Sequence, residues 1–194
     1  MINPETLLRN SLRGNFTGRY PSHPERMKLS AVLILLRNRS DAWEVFFTRR
    51  SDELADHSGQ IAFPGGRAEA GDSGPLQTAL REACEEIGIP PGSVHPLGIL
   101  DPVDTSSGFR VWPVAGVLRS PVEPGPSSSE VAEAFWIPLD WLAADGRWEW
   151  RIVPAGETRR EAIFFEAFQG HVIWGATAAI TVQLLDRLHG KGAA

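Results

Sequence analysis

The run Arg81-Glu82-Ala83-Cys84-Glu85-Glu86-Ile87-Gly88-Ile89 sets one arginine and three glutamates side by side. At about 100° per residue on a helix, Glu82, Glu85 and Glu86 fall within an arc of roughly 100°. Carboxylate oxygens at that density suit hard divalent cations such as Mg2+ or Mn2+. Without a cation, Glu82 and Glu86 repel as an i,i+4 pair, by about 0.2–0.5 kcal/mol on an exposed helix. Arg81 reaches Glu85 at i+4 and offsets part of this. A solvated helix face and a cation site are both open to such a run taken alone. What precedes it narrows the choice. Gly65-Gly66 lets the backbone turn tightly and approach a ligand, and Asp72 adds a carboxylate between that turn and the helix.

These side chains need a scaffold. Pro75 to Gly88 is the clearest helix: Leu76, Leu80, Ala83 and Ile87 form its apolar stripe, Pro75 suits the first turn and Gly88 ends it. Ala31–Leu36 (AVLILL) is a continuous apolar run of strand length, as a buried strand requires. Trp43–Thr48 is a second strand, with NRSDA as a hairpin turn between them. Gln60–Phe63 is a short strand stopped by Pro64-Gly65-Gly66. His95–Leu100 and Phe109–Leu118 read as strands, the latter broken by Pro113, and Ala134–Ile137 as another. Pro138 opens a brief helix through Leu142. Trp148–Val153 and Ala162–Phe168 form a hairpin around PAGETRR, and Ile173–Leu188 is a second long helix. Near the start, Pro4–Arg13 reads as a short helix capped by Asn3. Strands mixed with two main helices give an α+β sheet with helices packed on it.

At 194 residues, with 42% hydrophobic and 22% charged residues, the chain matches an ordinary globular domain. A net charge of −5 leaves no basic excess for neutralising phosphates, which argues against a nucleic-acid partner. The single cysteine, Cys84, excludes an internal disulfide and fits a reducing cytoplasm. The N-terminus lacks the apolar core of a signal peptide, and no apolar run is long enough to span a bilayer. The expectation is a cytoplasmic protein with neither nucleic acid nor membrane as partner, and the apolar strands allow a homodimer.

The acidic run resembles the Nudix box, G-x5-E-x7-R-E-U-x-E-E-x-G-U with U aliphatic. Arg81, Glu82, Ala83, Glu85, Glu86, Gly88 and Ile89 match its second half. Counting back from Arg81, Arg67 stands at the expected glycine and Ser73 at the expected glutamate. One extra loop residue restores Gly66 and puts Asp72 in the glutamate's place. Upstream, Phe46, Phe47, Thr48, Arg50, Ser51, Gly59 and Phe63-Pro64-Gly65-Gly66 resemble the signature L-L-T-x-R-[SA]-x3-R-x3-G-x3-F-P-G-G of the coenzyme A pyrophosphatase branch. Ala55 occupies the position of that signature's second arginine. TALREA (Thr78–Ala83) and IWGATA (Ile173–Ala178) are similar to the same branch.

The resemblance implies a mixed β-sheet sandwiched between helices over residues 29–194 as one domain, preceded by an extension over residues 1–28. It implies metal-dependent hydrolysis of a small nucleotide, with Glu82, Glu85, Glu86 and the Gly66 carbonyl holding Mg2+ or Mn2+. Arg81 would orient a glutamate. The general base would be Glu82 or a loop glutamate, with Glu130 the loop candidate after SPVEPGPSSS and Glu133 its competitor. Arg50, Ser51, Gly59, Gln60, Phe63 and Gly65 would form the substrate site, with His57 beside them. The implied substrate is coenzyme A or an acyl derivative, cleaved to 3′,5′-ADP and 4′-phosphopantetheine. ADP-ribose, NADH or a nucleoside triphosphate is the alternative substrate, and a nucleotide-binding domain without turnover is the alternative class.

Overall fold

The structure, a computed structural model, describes residues 3–12, 19–20, 27–54, 57–119, 121–155 and 158–190. Ala55 and most of the loop expected before Lys28 lie outside the described residues. The apolar run of the sequence becomes the middle of strand β1 (Lys28–Arg39). Its side chains alternate between two layers: Ala31, Leu33 and Leu35 enter one apolar cluster, Ile34 and Leu36 the other. All five are fully buried, so no polar residue can interrupt the run. Strand β2 (Ala42–Arg50) divides the same way, with Phe46 in the first layer and Val45 and Phe47 in the second.

Helix α2 (Pro75–Ile87) covers the first layer through Ala79, Ala83 and Ile87. Helices α1 (Pro4–Ser11) and α4 (Gly175–Leu188) cover the second, with Leu8, Ile180 and Leu184 in its cluster. Pro75 opens α2, and Gly88 closes it in the left-handed conformation at φ +69°, its N–H donating to the Cys84 carbonyl at 3.2 Å.

β1 pairs in parallel with β7 (Phe109–Leu118) and antiparallel with β2 through Leu36–Arg39. Through Ser30–Val32 it pairs instead with β4 (Gly65–Arg67). The sheet therefore forks where β2 and β4 part. β2 continues to β3 (Ile61–Ala62) and β8 (Val131–Pro138), and β7 to β5 (Val94–Ile99) and β6 (Val103–Asp104). The short helix α3 (Leu139–Ala143) leads to a separate hairpin of β9 (Trp148–Ala155) and β10 (Thr158–Phe165). This is the α+β arrangement expected, a mixed sheet with helices on both faces. Among the described residues no helix is long and apolar enough to cross a membrane.

Four local expectations are corrected. Gly65-Gly66 belongs to a strand rather than a turn, because without side chains it fits between β1 and α2. β7 runs unbroken through Pro113. The Pro113 carbonyl accepts from Leu100, so the missing N–H faces the junction of β5 and β6, where the ladder is already interrupted. The buried face of α2 is rotated from the predicted stripe: Leu76 and Leu80 are half-buried while Ala79 and Glu86 are buried. Helix α4 begins at Gly175 rather than Ile173, since the Ile173 carbonyl accepts from Phe165 and ties that segment to β10.

Candidate active site

The fork brings β4 alongside α2, and two glutamates of the helix meet the two glycines of the strand. The Gly65 N–H donates to Glu86 Oε2 at 2.9 Å. The carboxyl group of Glu82 lies so close over Gly66 that a Cβ there would sit 2.5 Å from its carbon. Gly66 thus has no room for a side chain beside Glu82, and Gly65 has none because a Cβ there would press on the backbone of β1. Glu86 is only 7% exposed. Burial pushes its pKa up to about 7, the Gly65 N–H opposing and the neighbouring Glu82 adding to the rise. The half-buried Glu82 is also raised, again mainly by burial, with Arg81 opposing and Glu85 and Glu130 reinforcing.

Arg81 is held in place from several sides. It donates to Asp72 through Nε at 3.3 Å and Nη2 at 3.0 Å, to the Arg67 carbonyl at 3.0 Å, and through Nη1 to Glu82 Oε1 at 3.0 Å. Asp72 in turn accepts from the Thr78 hydroxyl and the Glu69 N–H, each at 2.9 Å. The Arg81 guanidinium holds the Asp72 carboxyl below the usual carboxylate range. Asp72 thus faces Arg81 rather than a ligand, and the pair fixes Glu82. Asp72→Asn is expected to destabilise the fold by about 1–3 kcal/mol, the scale for weakening a partly buried, charge-assisted hydrogen-bond network. Thermal denaturation at pH 7 measures this, and the deficit should shrink on acidification. The depressed pKa stabilises the wild type above the unfolded value, and that contribution is lost as pH falls through the folded one.

Beyond the carboxylates a cavity of about 640 Å3 opens. Ser30 and Val32 of β1, Ile61 and Ala62 of β3, and Gly65 to Arg67 of β4 lie along one side. The loop Val103–Ser107, Trp150 and Ile163 of the hairpin, and Trp174 to Thr177 at the start of α4 form the rest. Arg50 reaches in from the end of β2, with its buried Nε free of any hydrogen-bond partner among the described residues. Its Nη2 lies 3.8 Å from Glu130 Oε2, and Glu130 also lines the cavity. Glu133 is turned away, bonded to Arg49 at 2.9 Å and 3.4 Å from His171. His57 Nδ1 and Gln60 Oε1 are 3.0 Å apart on the cavity wall.

The structure thus brings together Glu82, Glu86, Glu130, Arg50, Gln60, Gly65 and Gly66. Glu85 is exposed and lies 3.6 Å from Arg81, outside the cavity. Ser51, Gly59 and Phe63 do not line it either. The Ser51 N–H donates to the Glu130 carbonyl at 2.7 Å, which ties the Arg50 strand to the Glu130 loop. Gly59 makes the turn at φ +67° that returns Gln60 to Arg50, and Phe63 is buried against Phe47. Each shapes the site through the backbone or the core. Trp150 and Ile163 read in the sequence only as hairpin residues, and the Val103–Ser107 segment carries no motif. Trp174 lies in the IWGATA segment and was within reach.

A buried and a half-buried carboxylate with raised pKa values face the cavity, with Arg81 hydrogen-bonded only to Glu82 of the two, and such a pair suits a hard divalent cation. Among the described residues no three acidic, histidine or cysteine side chains converge as a finished ligand cage. Glu82 and Glu86 face the cavity beside the Gly66 backbone, Glu130 lines the same cavity, and Glu85 stands next to Glu86 on the exposed side of the helix.

A sequence profile described as NUDIX domain matches residues 27–156. The curated Uncharacterized Nudix hydrolase NudL of Pectobacterium atrosepticum is 40% identical over 164 residues, covering 84% of this chain and 83% of its own. Its counterpart in Yersinia enterocolitica is 40% identical over 160 residues, covering 82% and 81%. The crystal structure of a MutT/nudix family protein from Enterococcus faecalis is similar in fold, with a TM-score of 0.57 at 17% identity over 89% of this chain and 66% of that one. The matched span runs from the forked sheet through the acidic helix to the hairpin, and on that ground the chain belongs to the Nudix hydrolases.

Proposed function

We propose that the chain hydrolyses the pyrophosphate linkage of coenzyme A or an acyl-coenzyme A with the aid of Mg2+ or Mn2+. The observation that carries this reading is the meeting, in one cavity, of the Glu82 and Glu86 carboxylates with the unpartnered Nε of Arg50. Glu82 and Glu86 would hold the metal, whose chemistry is to neutralise the pyrophosphate charge and acidify water. Arg50 binds a phosphate oxygen by a charge-assisted hydrogen bond. Glu130, exposed at the rim and loosely paired, accepts the proton of the attacking water. The new phosphorus–oxygen bond forms as the bridging one breaks, giving 3′,5′-ADP and (acyl-)4′-phosphopantetheine. Arg81 is a positioning residue, acting through Glu82. The spacing of Phe46, Phe47, Thr48, Arg50, Ser51, Gly59 and Phe63-Pro64-Gly65-Gly66 supports coenzyme A over other nucleotides.

Incubation with Mg2+ or Mn2+ and, in turn, coenzyme A, ADP-ribose, NADH and nucleoside triphosphates, with products identified by mass, tests the substrate. Cleavage of ADP-ribose without cleavage of coenzyme A would remove the assignment. Glu130→Gln is expected to lower kcat by roughly 10²–10⁴-fold, the usual contribution of a general base. Glu133→Gln should stay within about threefold of wild type, since it breaks only partly exposed surface pairs. The reverse order would transfer the base to Glu133.

A further inference from the structure

Large apolar side chains are left exposed at few places among the described residues: Trp148, Trp150, Ile152 and Val172. The first three stand at alternate positions of β9 and so share one face of the hairpin. Hairpin register decides which face. Trp148 is opposite Phe165 and Trp150 opposite Ile163, and directly opposed residues point to the same side. Phe165 and Ile163 are buried in the main core. The row on β9 therefore has the direction of a core-facing strand, yet its members remain 37%, 58% and 68% exposed. Trp150, at the middle of the row, and Ile163 also line the active-site cavity, so the row is continuous with the cavity wall.

We propose that this row is the subsite for an alkyl chain carried by the substrate, an inference that rests on the coenzyme A reading and deepens it. In an acyl-coenzyme A the pyrophosphate and the thioester lie at opposite ends of the pantetheine arm. A chain leaving the cavity meets the Trp148–Trp150–Ile152 face. A second copy of the protein suits it less well. The three side chains expose on the order of 300–400 Å2 together, judged from the 150–250 Å2 an aromatic side chain can bury. A stable interface takes about 800 Å2 from each partner. One alkyl chain matches the smaller figure.

The test compares kcat/KM for octanoyl-coenzyme A and coenzyme A with Mg2+ present. The wild type is expected to favour the octanoyl substrate about tenfold, the effect of burying roughly two methylene groups. In a Trp148→Ser, Ile152→Ser double variant the ratio should fall towards one. Independently of turnover, a bromoalkanoyl-pantetheine should quench tryptophan fluorescence in the wild type and much less in the double variant. Equal rates for both substrates, or a preference that survives the double substitution, overturns the subsite. Quenching without cleavage of either substrate supports the subsite and removes the coenzyme A reading instead. A dimer that the double variant dissociates, with no quenching, gives the row to a second copy and overturns the proposal.

Discussion

Glu86→Gln is expected to lower kcat by on the order of 10²–10³-fold, the scale for loss of one charge-stabilising group at a reaction centre, while making the metal-free protein more stable. The second half follows from burial. Folding raises the carboxyl pKa from 4.5 to about 7, so the folded protein resists the charge that the unfolded chain accepts readily. Below about pH 4.5 both states are protonated and the group costs nothing; above about pH 7 the cost levels off near 3 kcal/mol. The stability of the wild type in EDTA should fall as pH rises between those limits. Glutamine keeps an acceptor for the Gly65 N–H without the charge, and should flatten that slope. At pH 8 the gain is expected at about 1–3 kcal/mol, roughly 3–10 °C in Tm. Mg2+ should restore the wild type, by about 2.7 kcal/mol at a hundred times its Kd, and leave the variant little changed. Full activity in the variant would end the case for Glu86 as a ligand.

Adjacent glycines should fail in opposite ways. At Gly65, where φ is +154°, an added Cβ would lie 2.4 Å from the Ala31 carbonyl oxygen and 2.6 Å from the Val32 Cα. Both are backbone atoms of the central strand and cannot yield. Gly65→Ala is expected to destabilise by about 3–5 kcal/mol, among the larger effects of a point substitution and a sizeable part of a typical total. At Gly66 the obstacle is the far end of the Glu82 side chain, 2.5 Å away, which can swing aside. Gly66→Ala should therefore fold with stability within about 1 kcal/mol of wild type, yet lose roughly 10²-fold in kcat/KM, as a misplacement of about 1 Å can do. Paired thermal melts and steady-state rates check both. Intact activity in Gly66→Ala would show that the position of Glu82 does not matter.

Much of this was legible in the residues. AVLILL has the length and unbroken apolarity of a strand buried on two sides, and Pro75 and Gly88 bracket the acidic helix where the structure has it. Less legible was the side from which that helix is covered. An arc of three glutamates is symmetric on paper; the arrival of β4 on one flank buries Glu86, admits Glu82 and leaves Glu85 in solvent. Gly-Gly reads as a turn because glycine gives a strand no side chain to pack, and only the neighbouring helix shows why that emptiness is used. The spacing that singled out Ser51, Gly59 and Phe63 cannot separate side chains that face a ligand from those that set the backbone. Trp150 and Ile163 reach the cavity from long after the acidic helix in sequence, and no local periodicity foretells that.

The parallel pairing of β1 with β7 has a consequence in time. Val32 aligns with Pro113 and Ser30 with Val111, so the middle of the sheet unites strands about eighty residues apart. The helices at either end of the chain, α1 and α4, then pack against each other over the second layer. Such long-range closure is slow, in the millisecond-to-second range of sheets built from distant strands. During synthesis the glutamates of α2 emerge well before the segments that will wall in a substrate. A nascent chain therefore displays an acidic helix before it possesses a pocket, and the cavity wall is complete only when the start of α4 docks.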